Sequence, residues 1–254
     1  MADSAIAAQL FTLRDHLKTP DEIRTGMKKL AGLGYEAVQV SGLEVMDSKE
    51  FKVITEGEGL KIIATHISYE RIKEDPQGVI EEHQMWNCPH VGIGGLPQPY
   101  RNEEGFARFA REASEAARPL IEAGLTFNYH NHSFELEKFQ GRTALDILFS
   151  ESDPAVFSAE IDTYWIQHGG GNPASWLRRL KDRMQVVHLK DMAMSGSQQL
   201  FAEVGEGNLE WPEILQACRE ADIEWYIVEQ DTCQGDPFDS LGLSLRNLRQ
   251  MGLH

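Results

Sequence analysis

The sequence predicts a protein of the α/β class, a (β/α)8 TIM barrel that forms one domain over residues 1–254. Short apolar segments alternate with amphipathic helical segments from one end of the chain to the other. Apolar strands separated by helices indicate a parallel sheet covered by helices. About eight such units are present, and barrels of this type commonly have about 250 residues. The alternation and the chain length together favour a closed barrel.

The predicted strands are short and rich in apolar residues, as expected of strands that are buried on both faces. They are Ala5–Leu10, Tyr35–Val40, Leu60–Thr65, Val91–Ile93, Leu125–Tyr129, Val156–Ile161, Gln185–Leu189 and Trp225–Val228.

The predicted helices fill the segments between these strands. The first begins after Pro20, carries Ile23, Met27 and Leu30 at helical spacing, and ends at Gly34, because glycine accepts the left-handed conformation that closes a helix. The others are Ser48–Glu58, Pro76–Trp86, Asn102–Ala123, Thr143–Phe149, Pro173–Arg183, Pro212–Ala221 and a final helix from about Pro237.

A doubly wound open sheet is the alternative fold. Such a sheet normally has a glycine-rich turn after its first strand, where it binds a dinucleotide. The segment Gln9–Arg14 contains neither that turn nor a phosphate-binding loop. The sequence therefore favours the barrel and gives no support to a nucleotide site.

The composition restricts the possible partners. The net charge of −16 and the absence of a basic run argue against nucleic-acid binding, which depends on clustered Lys and Arg. No secretory signal and no apolar stretch of about 20 residues is present, so we expect no membrane partner. Cys88, Cys218 and Cys233 form no CxxC pair and are expected to be reduced thiols. These features predict a cytoplasmic protein.

Four polar strings follow apolar strands directly: Tyr129–His132, Glu160–Asp162, Val187–Asp191 and Val228–Asp231. The carboxyl ends of barrel strands form the active face. A carboxylate buried there without a partner is costly, so each string needs a cation or a hydrogen-bond donor nearby. Four such endings in succession predict a divalent cation at the open end of the barrel.

Three ligands come from neighbouring strands: Asp162, His188 and Glu229 follow the sixth, seventh and eighth. Each has a plainer interpretation alone, as a helix cap, a core histidine and an ion-pair partner. Together, carboxylate oxygens and an imidazole nitrogen suit Mn²⁺, Mg²⁺, Co²⁺ or Zn²⁺. Glu135 and His130 compete for the place of the fourth ligand.

Six segments carry a family resemblance: QLFTLRD (9–15), AGLGYEAVQV (31–40), YHNHSFEL (129–136), EIDTYWI (160–166), VHLKD (187–191) and VEQD (228–231). With them the chain resembles the sugar phosphate isomerase/epimerase family of the xylose-isomerase-like barrel superfamily, which includes inosose dehydratase, hydroxypyruvate isomerase and tagatose 3-epimerase. The segments extend over nearly the whole chain. They are specific for the superfamily and weak for any one substrate.

The resemblance implies one divalent cation held by Glu135, Asp162, His188 and Glu229. Epimerases of this group usually have a glutamate at the end of the fifth strand, where His130 aligns. We therefore expect Glu135 to supply the missing carboxylate and His130 to act as an acid/base or a substrate contact. The resemblance also implies a homodimer.

The function that these features predict is a metal-dependent sugar isomerase or epimerase. It would remove a proton beside a carbonyl and return it elsewhere, through a metal-stabilised enediolate. His130, Glu229 and Lys190 are the expected catalytic residues, and Lys190 points to the same side of its strand as His188. The expected substrate contacts are His66, Gln9 and Trp165.

Three other functions compete. A dehydratase acting on a keto-sugar would use the same proton abstraction. A non-catalytic carbohydrate-binding barrel would not exchange protons with its ligand. An endonuclease IV-like DNA repair enzyme would need basic loops, which the net charge of −16 disfavours.

Overall fold

Eight parallel strands close into a barrel in the computed structural model, which describes residues 5–43 and 46–253. The strands are β1 (Ala5–Gln9), β2 (Ala37–Val40), β3 (Lys61–His66), β4 (His90–Ile93), β5 (Thr126–His130), β6 (Phe157–Asp162), β7 (Met184–Leu189) and β8 (Trp225–Val228).

Each strand pairs in parallel with the next, and β8 pairs with β1 to close the sheet. The predicted fold class, a (β/α)8 barrel, is therefore confirmed. Because every strand runs in the same direction, the carboxyl ends of all eight meet at one face of the molecule.

Helices fill the connections. They are α1 (Pro20–Leu33), α2 (Ser48–Gly57), α3 (Tyr69–Glu74), α4 (Pro76–Trp86), α5 (Glu103–Glu122), α6 (Ala144–Glu151), α7 (Thr163–His168), α8 (Pro173–Arg179), α9 (Trp211–Glu220) and α10 (Pro237–Gln250). Helix α1 begins with Pro20 after the Thr19 cap and ends at Gly34, whose φ is 101°, as its sequence predicts. None of the helices within residues 5–43 and 46–253 combines the length and the apolar character needed to cross a membrane.

The structure differs from the sequence prediction in several connections. Strand β1 ends at Gln9, one residue early, because the Gln9 side chain accepts a hydrogen bond from the Phe11 amide and starts a 3-10 helix over Leu10–His16. The helix predicted over Pro173–Arg183 ends at Arg179, and a 3-10 turn follows. Helices α3 and α7 and two antiparallel hairpins, 138–143 and 191–202, were not predicted.

The inside of the barrel is filled in layers. A buried apolar layer contains Ala7, Ala37, Ala64, Val186 and Ile227. Side chains two residues apart on a strand point to the same side, so the residue two positions after each of these lies one layer closer to the carboxyl ends. Those residues are Gln9, Gln39, His66, His188 and Glu229. The barrel interior therefore changes from apolar to polar within one step along five strands.

Asp191 organises the segment that follows the longer hairpin. Its carboxylate accepts hydrogen bonds from the amides of Gly205 (2.9 Å), Gly207 (3.1 Å) and Leu209 (3.2 Å) and from the Trp211 indole (2.5 Å). The residue is fully buried. This one side chain therefore ties the segment before α9 to the end of β7.

We expect Asp191→Ala to lower the free energy of unfolding by about 3 kcal/mol or more, because each buried donor left without an acceptor costs about 1–3 kcal/mol. Gly207→Ala should also destabilise the protein, since a Cβ at position 207 would lie 2.2 Å from Asp191 Oδ1. Urea denaturation measures both effects. Asp15→Ala, at a carboxylate that is 74% exposed, is the control and should change stability by less than about 0.5 kcal/mol. Equal midpoints for Asp191→Ala and the control would contradict this role.

Candidate metal centre

Four buried side chains from four successive strands meet at the carboxyl end of the barrel. His130 and Asp162 are the last residues of β5 and β6, His188 is the penultimate residue of β7, and Glu229 follows β8 directly. One nitrogen or oxygen from each lies within 4.8 Å of the others. We refer to these four residues as the ligand cluster.

The closest atoms of the ligand cluster are at hydrogen-bond distance. His130 Nε2 lies 3.2 Å from Asp162 Oδ2, and His188 Nδ1 lies 2.9 Å from Glu229 Oε2. His188 Nδ1 is also 3.9 Å from Asp162 Oδ2. Two carboxylates and two imidazoles form a donor set that suits Mn²⁺, Co²⁺ or Zn²⁺ and accepts Mg²⁺ less readily.

Asp162 both caps a helix and faces the cluster. Its Oδ1 accepts a hydrogen bond of 2.9 Å from the Trp165 amide at the start of α7, which leaves Oδ2 pointing to His130. The Asp162 amide donates to Asn131 Oδ1 at 3.0 Å. The backbone around Asp162 is thus fixed by Asn131, which follows β5, and by the start of α7, and the cap interpretation of this residue does not exclude a ligand role.

Lys190 places an ammonium against the same carboxylates. Its Nζ lies 2.8 Å from Glu229 Oε2, 3.0 Å from Asp162 Oδ2 and 2.5 Å from Asp231 Oδ2. Burial by itself would lower the pKa of Lys190, but these three carboxylates outweigh it and raise the pKa. The lysine therefore stays charged at neutral pH.

The carboxylates outnumber the fixed positive charges. When all are ionised, Glu160, Asp162, Glu229 and Asp231 carry four negative charges and Lys190 one positive charge, which leaves three negative charges if the histidines are neutral. Burial by itself would lower the pKa of His188, yet Glu160 and Glu229 raise it to about 10. A proton on His188 therefore offsets part of the excess, and a divalent cation would offset two charges. The residues present fit such an ion.

Glu160 and Gln39 lie directly under the ligand cluster. Glu160 Oε2 is 2.5 Å from His66 Nε2, and Glu160 Oε1 accepts a hydrogen bond of 2.8 Å from Gln39 Nε2. His66, Glu160 and His188 are also close enough to share an ion. We refer to Glu160 and Gln39 as a supporting layer and treat the ligand cluster as the candidate ion site, because it offers four donor side chains and the second group offers three.

The structure places Glu135 outside the ligand cluster, although the sequence favoured it as a ligand. Its Oε1 accepts a hydrogen bond of 2.6 Å from the Tyr129 hydroxyl, and its Oε2 accepts one of 3.0 Å from the His132 amide. Burial raises the pKa of Glu135 to about 7. Both oxygens are therefore hydrogen-bonded within β5 and the loop after it, and it is His130 that lies with Asp162, His188 and Glu229.

The three expected substrate contacts lie in different surroundings. Gln9 is fully buried and both ends of its amide bind protein groups. His66 lines a cavity of about 170 Å³, and Arg71 and Trp86 line the same cavity. Trp165 lies under Lys190, whose Nζ is 5.6 Å from its ring centroid, and the indole Nε1 has no hydrogen-bond partner among the described residues.

Glu160, Gln39 and Asp231 received no individual role from the sequence, although Glu160 and Asp231 belong to two of the polar strings that predicted the cation. A signal was available for two of them: Glu160 is two residues before Asp162, and Asp231 is two residues after Glu229. Period-two spacing on a strand places such pairs on the same side.

Comparison with known protein families matches residues 27–251 to the model described as xylose isomerase-like TIM barrel. The chain belongs to this family. The match covers β2 to β8 and includes every member of the ligand cluster.

Related sequences include the inosose dehydratase of Lacticaseibacillus casei, which is 24% identical over 160 residues, covering 56% of this chain and 53% of that protein. The inosose dehydratase of Clostridium beijerinckii is 26% identical over 158 residues, covering 55% of this chain and 52% of that protein. The chain spans about half the length of these curated relatives.

Among solved structures, a sugar phosphate isomerase/epimerase from Parabacteroides distasonis superposes with a TM-score of 0.84 at 20% identity, covering 100% of this chain and 96% of that one. A D-allulose 3-epimerase from Methylomonas sp., in complex with D-allulose, gives a TM-score of 0.70 at 14% identity, covering 98% and 97%. At these identities the likeness shows the fold alone.

Mutation can show whether His130 or Glu135 is the fourth metal ligand. We expect His130→Ala to weaken Mn²⁺ binding by about tenfold or more, because even residues behind the ligands typically contribute about 10- to 100-fold to metal affinity. Glu135→Gln keeps the size of the side chain, and because Glu135 lies outside the ligand cluster the affinity should stay close to that of the wild type. Isothermal titration with Mn²⁺ measures both. The opposite order would return the ligand role to Glu135.

Proposed function

We propose that the protein is a divalent-metal-dependent enzyme that removes a proton beside the carbonyl of a small carbohydrate and yields an isomer or epimer. The observation that carries this proposal is the convergence of His130, Asp162, His188 and Glu229 within 4.8 Å at the carboxyl end of the barrel. That face carries the active sites of TIM-barrel enzymes.

His130, Asp162, His188 and Glu229 would hold the ion, which we expect to be Mn²⁺, Mg²⁺, Co²⁺ or Zn²⁺. When bound, the ion would act as a Lewis acid on a substrate carbonyl and so make the neighbouring C–H more acidic. Membership of the xylose isomerase-like family supports this assignment.

The chain itself supplies groups for proton transfer. Lys190 is a buried ammonium beside Asp162 and Glu229, and we propose that it donates a hydrogen bond to the developing oxyanion of the substrate. Glu229 is the proposed base, since its ionised carboxylate lies in the same cluster. His130 Nδ1, which has no hydrogen-bond partner among the described residues, is a candidate to contact a substrate hydroxyl.

A dehydratase acting on a keto-sugar is the second candidate. The sequence relatives in Lacticaseibacillus casei and Clostridium beijerinckii are inosose dehydratases. Elimination uses the same proton abstraction and then needs an acid that protonates the departing hydroxyl. Lys190, held in its charged form beside the cluster, is a suitable donor.

Incubation with Mn²⁺ in D₂O tests both candidates. The purified protein is mixed with ketoses, inososes and 3-keto-glycosides, and the products are examined by NMR and mass spectrometry. We expect deuterium at the carbon beside the carbonyl, and a chelator should abolish its incorporation. Deuterium without a change in elemental composition indicates isomerisation or epimerisation, whereas loss of water indicates a dehydratase. Unchanged and undeuterated sugars across the whole panel would favour a non-catalytic binding protein.

A further inference from the structure

Two buried glutamines connect the start of the barrel to the ligand cluster. Gln9 is the last residue of β1 and Gln39 lies near the end of β2, where the two residues are paired in register. Both side chains are fully buried. Gln9 Nε2 donates to Gln39 Oε1 at 2.7 Å, and Gln39 Oε1 also lies 2.6 Å from His188 Nε2. Neither glutamine belongs to the ligand cluster.

A backbone amide determines which groups donate and which accept in this series of hydrogen bonds. The Phe11 N–H lies 3.1 Å from Gln9 Oε1, and a backbone N–H can only donate. This contact fixes the orientation of the Gln9 amide, so its NH₂ group must face Gln39. An NH₂ group also only donates, and it therefore requires the oxygen of Gln39 on its side. The NH₂ group of Gln39 then donates to Glu160 Oε1 at 2.8 Å.

The Gln39 oxygen in turn determines that the Nε2 nitrogen of His188 carries a hydrogen. An amide oxygen can only accept, so the His188 Nε2 that lies 2.6 Å from Gln39 Oε1 must carry a hydrogen. His188 Nδ1 lies 2.9 Å from Glu229 Oε2, inside the ligand cluster, and a carboxylate can only accept, so without a metal ion Nδ1 carries a hydrogen as well. A metal ion takes the place of the hydrogen on Nδ1, because the hydrogen on Nε2 is held by Gln39.

We propose that Gln9 and Gln39 form a directional relay that holds the proton of His188 on Nε2 and thereby presents the lone pair of Nδ1 to the metal ion. Gln39 is a positioning residue and Gln9 fixes its orientation. Metal-binding histidines generally donate their other N–H to a fixed acceptor, which sets the tautomer and the ring orientation. Here the nearer acceptor is the Gln39 amide, at 2.6 Å from His188 Nε2 compared with 3.3 Å for Glu160 Oε1, and the direction of that amide is fixed by the Phe11 backbone. This inference rests on the metal site of the proposed function.

A neutral amide suits this position better than a carboxylate. Gln39 accepts from Gln9 and His188 and donates to Glu160, so each of its polar atoms has a partner of the right kind. A carboxylate in its place would bring a second negative charge to about 2.8 Å from Glu160 Oε1, where two anions cannot both remain ionised. The relay therefore holds His188 without adding charge to an already acidic interior.

Gln39→Met tests the relay, because methionine has a similar volume and offers neither a strong acceptor nor an N–H donor. Zn²⁺ is the probe, since it is diamagnetic and permits ¹⁵N NMR of the histidines. We expect the variant to bind Zn²⁺ about 10- to 100-fold more weakly than the wild type. In the Zn²⁺-loaded wild type, the Nε2 of His188 should be protonated and slow to exchange with water. In Gln39→Met that proton should exchange faster.

Two further variants keep the result interpretable. Tyr35→Phe removes a buried hydrogen bond to the Leu241 carbonyl that involves neither the ligand cluster nor the two glutamines, and it should lower stability without changing Zn²⁺ affinity. Gln9→Met leaves Gln39 in place and removes the group that orients it, together with the acceptor of the Phe11 amide. Gln9→Met should also weaken Zn²⁺ binding, but by a smaller factor than Gln39→Met. If Gln39→Met does not fold, Gln9→Met is used to test the relay.

The outcomes separate the relay from the metal site. If the wild type fails to bind Zn²⁺, the proposed function loses its metal centre and the relay falls with it. If the wild type binds Zn²⁺ and Gln39→Met binds it equally well, with the same protonated Nε2, the relay is overturned and the metal site stands. Weaker binding by Tyr35→Phe to the same extent would also overturn the relay.

Discussion

Uncompensated negative charge inside the barrel is the constraint on which the rest of the site depends. Glu160, Asp162 and Glu229 are buried, Asp231 lies beside them, and Lys190 is the fixed positive charge that touches three of the four. Buried carboxylates are tolerated only where hydrogen bonds and opposite charges replace the lost water. Each neighbouring feature can be understood as part of that compensation: the raised pKa of His188, the helix cap at Asp162, the amide donor of Gln39 and the proposed cation.

The barrel positions these groups by a simple repeat. Small or aliphatic residues form the apolar layer, and the side chain two positions later on each strand enters the polar layer above it. Small alanines at positions 7, 37 and 64 lie under Gln9, Gln39 and His66. The closed sheet holds these side chains on neighbouring strands with little freedom, so the distances among them depend on the strand register. A rigid scaffold of this kind is what a metal site and a proton-transfer site require.

The sequence predicted the fold and the strands because hydrophobic runs and helix boundaries are local signals. It also indicated that Asp162, His188 and Glu229 would be near one another, since consecutive barrel strands are neighbours in space. The residues alone left His130 and Glu135 open and the family resemblance favoured Glu135, because the hydrogen bonds of the Glu135 oxygens with the Tyr129 hydroxyl and the His132 amide are not visible in the sequence. The proposed role of Gln9 could not be predicted either, since it depends on a contact with Gln39, 30 residues away in the chain. The hairpin that begins at Asp191 is likewise held by donors from residues 205 to 211.

X-ray absorption of the Co²⁺-loaded protein is the decisive measurement for the metal site, because it reports the atoms around the ion without reference to any substrate. We expect nitrogen and oxygen ligands and the multiple-scattering signal of two imidazole rings, from His130 and His188. A spectrum without imidazole scattering, equal to that of the hydrated ion, would show that the ligand cluster does not bind the ion.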